Sequence, residues 1–308
     1  MASTLSPEVV EQTVQFVSIY PCSMLLCGYL TYTPNSSPIP EEVAMLRKEA
    51  ERLLKELDVS THPMTTFSTG TKGREHIGDS YFLDSWDKIS YFFEEGAIKD
   101  EELAVEKEKA VNKIGHSLHE LSAPFKQISH SSKVKQIASA LGLKNPIILQ
   151  SMLIFKQPEI GGLVPPHQDS SFLYTEPPSA RGFWFALEDC TLSNGCLEYI
   201  PGSQTVPVRQ RFVRKADNSG TEFIDLPGSE ASADAWKNVD ESKYVPIEVK
   251  SGSLVLIHGN MIHRSSPNLS SSSRWIYTFH CIEGDYPYDS KNWLQPSEGK
   301  HLTKLYDA

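Results

Sequence analysis

The sequence predicts a mainly β protein with flanking helices, and two textures along its 308 residues say so. From Pro146 onward, short apolar or alternating runs are separated by Gly, Pro, Asn and Ser turns. That is the pattern of antiparallel strands closing a sandwich, barrel or jelly roll. Before Pro146 the apolar spacing is partly helical, which sets helices against one outer face of the strands rather than in a domain of their own. One domain over residues 1–308 follows, with a helical flank and outer strands in 1–145 and the β core in 146–308.

Pro40-Glu41-Glu42 opens the first element, in which Val43, Leu46, Ala50, Leu53, Leu54 and Leu57 recur at helical spacing before Asp58. The stretch from Ser85 to Glu95, with Tyr91, Phe92 and Phe93, fits helix or strand. Ser132 to Leu141 is a second helix, closed by Gly142. Strands are expected at Ile147–Phe155, Gly182–Leu187, Cys196–Ile200, Val245–Val249, Ser253–Ile257 and Trp275–Ile282.

An apolar fraction of 39% and a charged fraction of 22% are those of a globular chain with a sizeable core. Twenty-nine basic residues against 39 acidic ones leave a net charge of −10, which repels polyanions and argues against nucleic-acid binding. The five cysteines, Cys22, Cys27, Cys190, Cys196 and Cys281, are odd in number and form no CxxC pair, so neither a disulfide framework nor a zinc knuckle is expected. The most apolar stretch, Ile19 to Leu30, is too short to span a membrane and contains Pro21. The expectation is a cytoplasmic monomer without a membrane span or signal peptide. The sequons at Asn35 and Asn268 carry no weight in such a chain.

The chemistry concentrates at Val164-Pro165-Pro166-His167-Gln168-Asp169, next to an expected strand. Extended backbone points His167 and Asp169 to one face. An imidazole and a carboxylate converging there make two thirds of the 2-His-1-carboxylate facial triad that holds Fe(II) and leaves coordination positions open. The third ligand must come from a distant strand, and His258 and His263 both flank the turn after Ile257. A 2-oxo acid with a second carboxylate needs a cation nearby, for which Arg274 offers a two-pronged donor. The turn Asn268–Ser273 lets His263 and Arg274 stand on neighbouring strands, so spacing favours His263 over His258. His280, six residues beyond Arg274, shares its strand parity but is read as a polar residue of the core.

These residues fall in an ordered series: His167-Gln168-Asp169, Trp184, Asn194-Gly195-Cys196-Leu197, Ile200-Pro201-Gly202-Ser203, His263-Arg264-Ser265-Ser266-Pro267-Asn268 and Arg274. From about residue 40 to its end the chain resembles the phytanoyl-CoA dioxygenase family of Fe(II)- and 2-oxoglutarate-dependent oxygenases. The resemblance implies a double-stranded β-helix, or cupin-like jelly roll, with iron at its mouth. It implies His167, Asp169 and His263 as iron ligands and Arg274 as the partner of the distal 2-oxoglutarate carboxylate. It also implies Lys113, Met152, Gln168 and Trp184 as lining of the cosubstrate pocket, O2 as oxidant and ascorbate as reductant. The implied reaction couples oxidative decarboxylation of 2-oxoglutarate to hydroxylation of a small molecule. Residues 17–38 depart from the pattern: Phe16 and Gly28-Tyr29-Leu30 are separated by Val17 to Cys27, as an insertion would leave them, which puts the first strand in doubt.

The substrate is left open between an organic acid and a lipid-like molecule. Arg209, Arg211, Arg214 and Lys215 form either an anion clamp at the barrel mouth or a solvated loop. The rival function is a non-catalytic iron- or 2-oxoglutarate-binding sensor or scaffold. An intact triad beside Arg274 weighs against it.

Overall fold

The computed structural model describes residues 29–32, 39–66, 80–100, 102–217, 219–229 and 239–307. The unusual stretch 17–38 lies outside them except for Tyr29–Tyr32, as do Cys22, Cys27 and Asn35. The strands are β1 Tyr29–Tyr32, β2 Ile89–Phe93, β3 Ile98–Lys99, β4 Glu102–Leu103, β5 Val111–His116, β6 Pro146–Lys156, β7 Val164–His167 and β8 Arg181–Ala186. They continue with β9 Leu197–Tyr199, β10 Gln210–Arg214, β11 Thr221–Asp225, β12 Val245–Ile247, β13 Leu254–His258, β14 His263–Ser265, β15 Arg274–Glu283 and β16 Thr303–Lys304.

Two antiparallel sheets form the jelly-roll core. The larger has the order β1-β13-β8-β15-β6-β5-β2, with β16 also on β6, and the smaller has the order β12-β9-β14-β7. The stretch with the paired aromatics is the strand β2, not a helix. The first strand, doubtful from sequence, pairs with β13 at Tyr29↔Ile257 through Tyr32↔Leu254.

Strand alternation divides the larger sheet into two faces. Along β15, Tyr277, Phe279 and Cys281 point outward into a core with Leu153 and Phe155 of β6 and Phe183 of β8. Leu46, Leu53 and Leu54 of the helix Ile39–Glu56, Phe125 of Ala123–Ser129 and Val134 of Ser132–Ala140 complete that layer. The apolar spacing of these helices thus has its partner in the odd-numbered residues of β15. Each such side chain taken fully from water contributes about 1.5–3 kcal/mol. The other face turns toward the smaller sheet, where Trp184, Ala186, Leu197, Val255, Ile257 and Ile276 meet.

Candidate metal centre

The smaller sheet brings His167 and His263 together. β7 and β14 pair antiparallel with His263 directly opposite His167. β7 is an edge strand, the position where Pro165 and Pro166 are tolerated because a missing N–H costs no interior ladder bond. The next residue, Gln168, keeps extended backbone (φ −117°, ψ 128°), which returns Asp169 to the side of His167 before the one-turn helix Asp169–Phe172 begins. Ligand atoms of His167, Asp169 and His263 all lie within 4.8 Å of one another. Asp169 Oδ1 is 3.6 Å from His167 Nε2 and 3.8 Å from His263 Nε2.

The imidazoles are held in the tautomer a metal needs. His167 Nδ1 is 2.9 Å from the Pro165 carbonyl and His263 Nδ1 is 3.0 Å from the Met261 carbonyl. A carbonyl only accepts, so each Nδ1 carries the proton and each Nε2 presents a lone pair to the cluster. Burial, with His167 alongside, lowers the His263 pKa to about 4 and favours the neutral ring. Burial also acts to lower His167, but the Asp169 carboxylate outweighs it and raises that ring. For Asp169, burial pushes up while His263, His280 and His167 together hold the carboxyl well below the usual range. Two imidazole nitrogens around an anionic oxygen suit a divalent cation, which would take the place of the proton that Asp169 favours on His167.

His258 ends β13 away from this cluster, its Nδ1 accepting the Asn260 N–H at 3.1 Å. The register places the other implied residues. Thr278 of β15 lies between Met152 of β6 and Trp184 of β8, and Lys113 of β5 lies one step along, opposite Ile154, which faces Ile276. Arg274 shares their face. The residue is 2% exposed, and its guanidinium lies 5.7 Å from the Trp184 ring centre and has a buried Nε without a hydrogen-bond partner. Such a buried cation suits a carboxylate brought in by a ligand. Lys113 is also buried, with Nζ over the rings of Phe82 and Phe92, and burial pushes its pKa well below the usual lysine range. Gln168 turns the other way and donates to the carbonyls of Val206 (3.1 Å) and Asn260 (2.8 Å). It ties β7 to the turn that precedes His263.

Three residues on this face were not assigned to the site from sequence. Thr278 and His280 share the parity of Arg274, and Lys156 is the register partner of Arg274. Lys156 Nζ donates to the carbonyls of Gly162 (2.6 Å), Ser265 (3.3 Å) and Ser266 (2.6 Å), tying β6 to the end of β14. Strand parity was the available signal for all three. Two members of the basic cluster are pinned within the protein. Arg211 donates to Asp289 (3.0 Å) and Asn292 (2.9 Å), and Arg214 to the carbonyls of Trp293 (2.7 Å) and Leu83 (2.8 Å). Both bind the segment after β15 to the barrel.

Fold and site define a class: a double-stranded β-helix protein with two imidazoles and one carboxylate gathered between its sheets. The chain belongs to the phytanoyl-CoA dioxygenase family, whose pattern, described as Phytanoyl-CoA dioxygenase (PhyH), matches residues 28–276. It is 45% identical over 290 residues to phytanoyl-CoA dioxygenase domain-containing protein 1 of Danio rerio, covering 91% of this chain and 94% of that one. It is also 45% identical over 270 residues to an Arabidopsis thaliana protein named phytanoyl-CoA dioxygenase, covering 87% and 89%. Among solved structures it is similar to SnoK, a non-heme alpha ketoglutarate dependent carbocyclase from nogalamycin biosynthesis. That match has TM-score 0.61 and 18% identity, over 98% of this chain and 97% of that one. EctD from S. alaskensis with bound Fe is similar at TM-score 0.55 and 18% identity, over 90% and 82%. At these identities the likeness is one of fold. Among the described residues no helix is long and apolar enough to cross a membrane.

Proposed function

We propose that this chain is an Fe(II)- and 2-oxoglutarate-dependent dioxygenase that couples oxidative decarboxylation of 2-oxoglutarate to hydroxylation of a small molecule, working as one domain over residues 1–308. The observation that carries the reading is the cluster of His167, Asp169 and His263 between two sheets, one of which also presents the buried Arg274. The family is described as phytanoyl-CoA dioxygenase, and the fold is shared with a protein described as a non-heme alpha ketoglutarate dependent carbocyclase and with EctD holding Fe, which supports the same assignment.

His167 Nε2, His263 Nε2 and an oxygen of Asp169 hold the ferrous ion. Arg274 pairs with the distal carboxylate of 2-oxoglutarate, and Lys113 supplies a second cation beside that dianion. Met152 and Trp184 wall the pocket, while Gln168 fixes the approach of β7 to the His263 turn. When bound, the iron and the 2-oxo acid supply O2 activation and the oxidising equivalents. The protein's share is to orient the reactants and to exclude water. With Arg211 and Arg214 bonded within the protein, little of the basic cluster is left to clamp an acidic substrate.

Aerobic incubation with Fe(II), ascorbate and 2-oxoglutarate, following succinate, tests the proposal. Succinate is expected, and it is expected to vanish in His167→Ala and Asp169→Ala. Metal and 2-oxoglutarate binding without succinate, across a panel of organic acids and lipid-like molecules, would replace the enzyme by a sensor.

A further inference from the structure

His280 stands on the inner face beside the proposed metal ligands and takes no part in the proposed reaction. It is 5% exposed, and its Nε2 stands 3.3 Å from Asp169 Oδ2, an oxygen that no group hydrogen-bonds within normal geometry. Gly182 lies directly across β8 from it. A Cβ on Gly182 would come 3.2 Å from Ile257 Cβ and 3.4 Å from His280 Nε2, so the missing side chain gives the imidazole its room.

The other ring nitrogen, Nδ1, is buried without a partner. A ring proton on Nε2 turns a donor toward Asp169 and leaves a bare acceptor at Nδ1. A proton on Nδ1 would instead bury an unsatisfied N–H and set a lone pair against a carboxylate oxygen. The first arrangement is favoured. The two oxygens of Asp169 are thereby divided: Oδ1 faces the Nε2 atoms of His167 and His263, and Oδ2 faces His280.

We infer that His280 is a positioning residue that holds Asp169 Oδ2 aside, so that the carboxylate presents Oδ1 alone to a divalent cation. The inference rests on the metal reading above and adds the denticity of one ligand to it. A carboxylate gripping through both oxygens would fill a further coordination position, and the facial site needs its remaining positions for a chelating 2-oxo acid and O2. His280 thus keeps a position open without touching either.

Anaerobic titration of the apo-protein with Co(II), read by visible absorption and paired with thermal melting, tests this in wild type, His280→Phe and His280→Gln. The Phe variant keeps the ring volume and removes the donor, and its affinity is expected to fall about 10–100-fold with an altered cobalt spectrum. The Gln variant keeps an Nε2 donor and is expected to stay within about threefold of wild type with an unaltered spectrum. A folded Phe variant with wild-type affinity and spectrum overturns the inference, as does a Gln variant that loses as much as Phe. Nitrogen-15 NMR of the wild-type ring decides the matter even if the Phe variant does not fold: an Nε2-protonated tautomer is expected, and an Nδ1-protonated one overturns it. Failure of wild type to bind Co(II) would sink the metal reading itself, a different outcome from equal binding by wild type and Phe.

Discussion

His263 stands directly across the β7–β14 pair from His167, with the two imidazole centres 4.2 Å apart. The residues are distant in sequence, and cross-strand register alone makes them neighbours. In that register both rings reach back to the carbonyl two residues earlier, so both Nε2 atoms face Asp169. Because His258 is bonded to its own turn at Asn260, replacing the two histidines separates their roles. Calorimetric titration of the apo-protein with Fe(II) or Co(II) is expected to show His263→Ala losing more than about 100-fold in affinity, a larger loss than outer residues cause. His258→Ala is expected to bind as wild type does.

Arg274 is buried with an unpartnered Nε, so its removal acts on the cosubstrate rather than the metal. Truncating one partner of a buried charge pair costs about 2–5 kcal/mol, roughly 30-fold to several thousand-fold. Arg274→Ala is expected to raise the 2-oxoglutarate requirement for succinate formation on that scale and to leave Co(II) affinity nearly unchanged. Arg274→Lys recovers only part, because an ammonium lacks the two-pronged geometry. Equal losses of metal and 2-oxoglutarate binding would remove its assigned role.

Gly259 is where backbone has to pass close behind the site. Its carbonyl accepts the Ser170 N–H at 2.8 Å, and its own N–H donates to the Ala180 carbonyl at 2.8 Å. A Cβ there would lie 2.3 Å from Ser170 Oγ and 2.7 Å from Ala180 Cβ. Gly259→Ala is expected to destabilise the fold by about 1–3 kcal/mol in urea denaturation and to weaken metal binding through the displaced Asp169 turn. Gly96→Ala, with nothing within 4 Å of the added carbon, is the control and is expected to change stability by less than about 0.5 kcal/mol.

His119 sits under β6, with its N–H donating to Ser151 Oγ at 2.9 Å and its Nδ1 2.8 Å from the same oxygen. Burial lowers its pKa to about 3, against an unfolded value near ~6.5. The unfolded chain therefore binds the extra proton first. The stability contributed by the neutral ring is complete above pH ~6.5 and is lost as pH falls toward 3, at up to about 1.4 kcal/mol per unit. Burial shifts His116 and His130 in the same direction, so the wild-type slope is a sum. Urea unfolding at pH 7 and pH 5 is expected to show a drop about 2 kcal/mol smaller in His119→Gln than in wild type. An unchanged drop would mean that the buried ring titrates normally.

Local pattern alone carried much of this protein. The 3.6-residue spacing of Leu46, Ala50, Leu53 and Leu54 and the two-residue alternation of β6 and β15 are properties of short segments, which the sequence displays without reference to any contact. His167 and Asp169 were legible for the same reason, since extended backbone over three residues points both to one side. Tertiary structure decided what depends on which strands meet: that His263, favoured by spacing, stands opposite His167, that Arg211 and Arg214 are spent on the chain's own carboxylate, amide and carbonyl groups, and that His280 stands behind Asp169. Those outcomes depend on which segments meet, up to 131 residues apart for Arg214 and Leu83, and a one-residue slip in register would turn every side chain of a strand to the opposite face. A sequence displays parity within a strand, but only the paired sheets determine what that parity confronts.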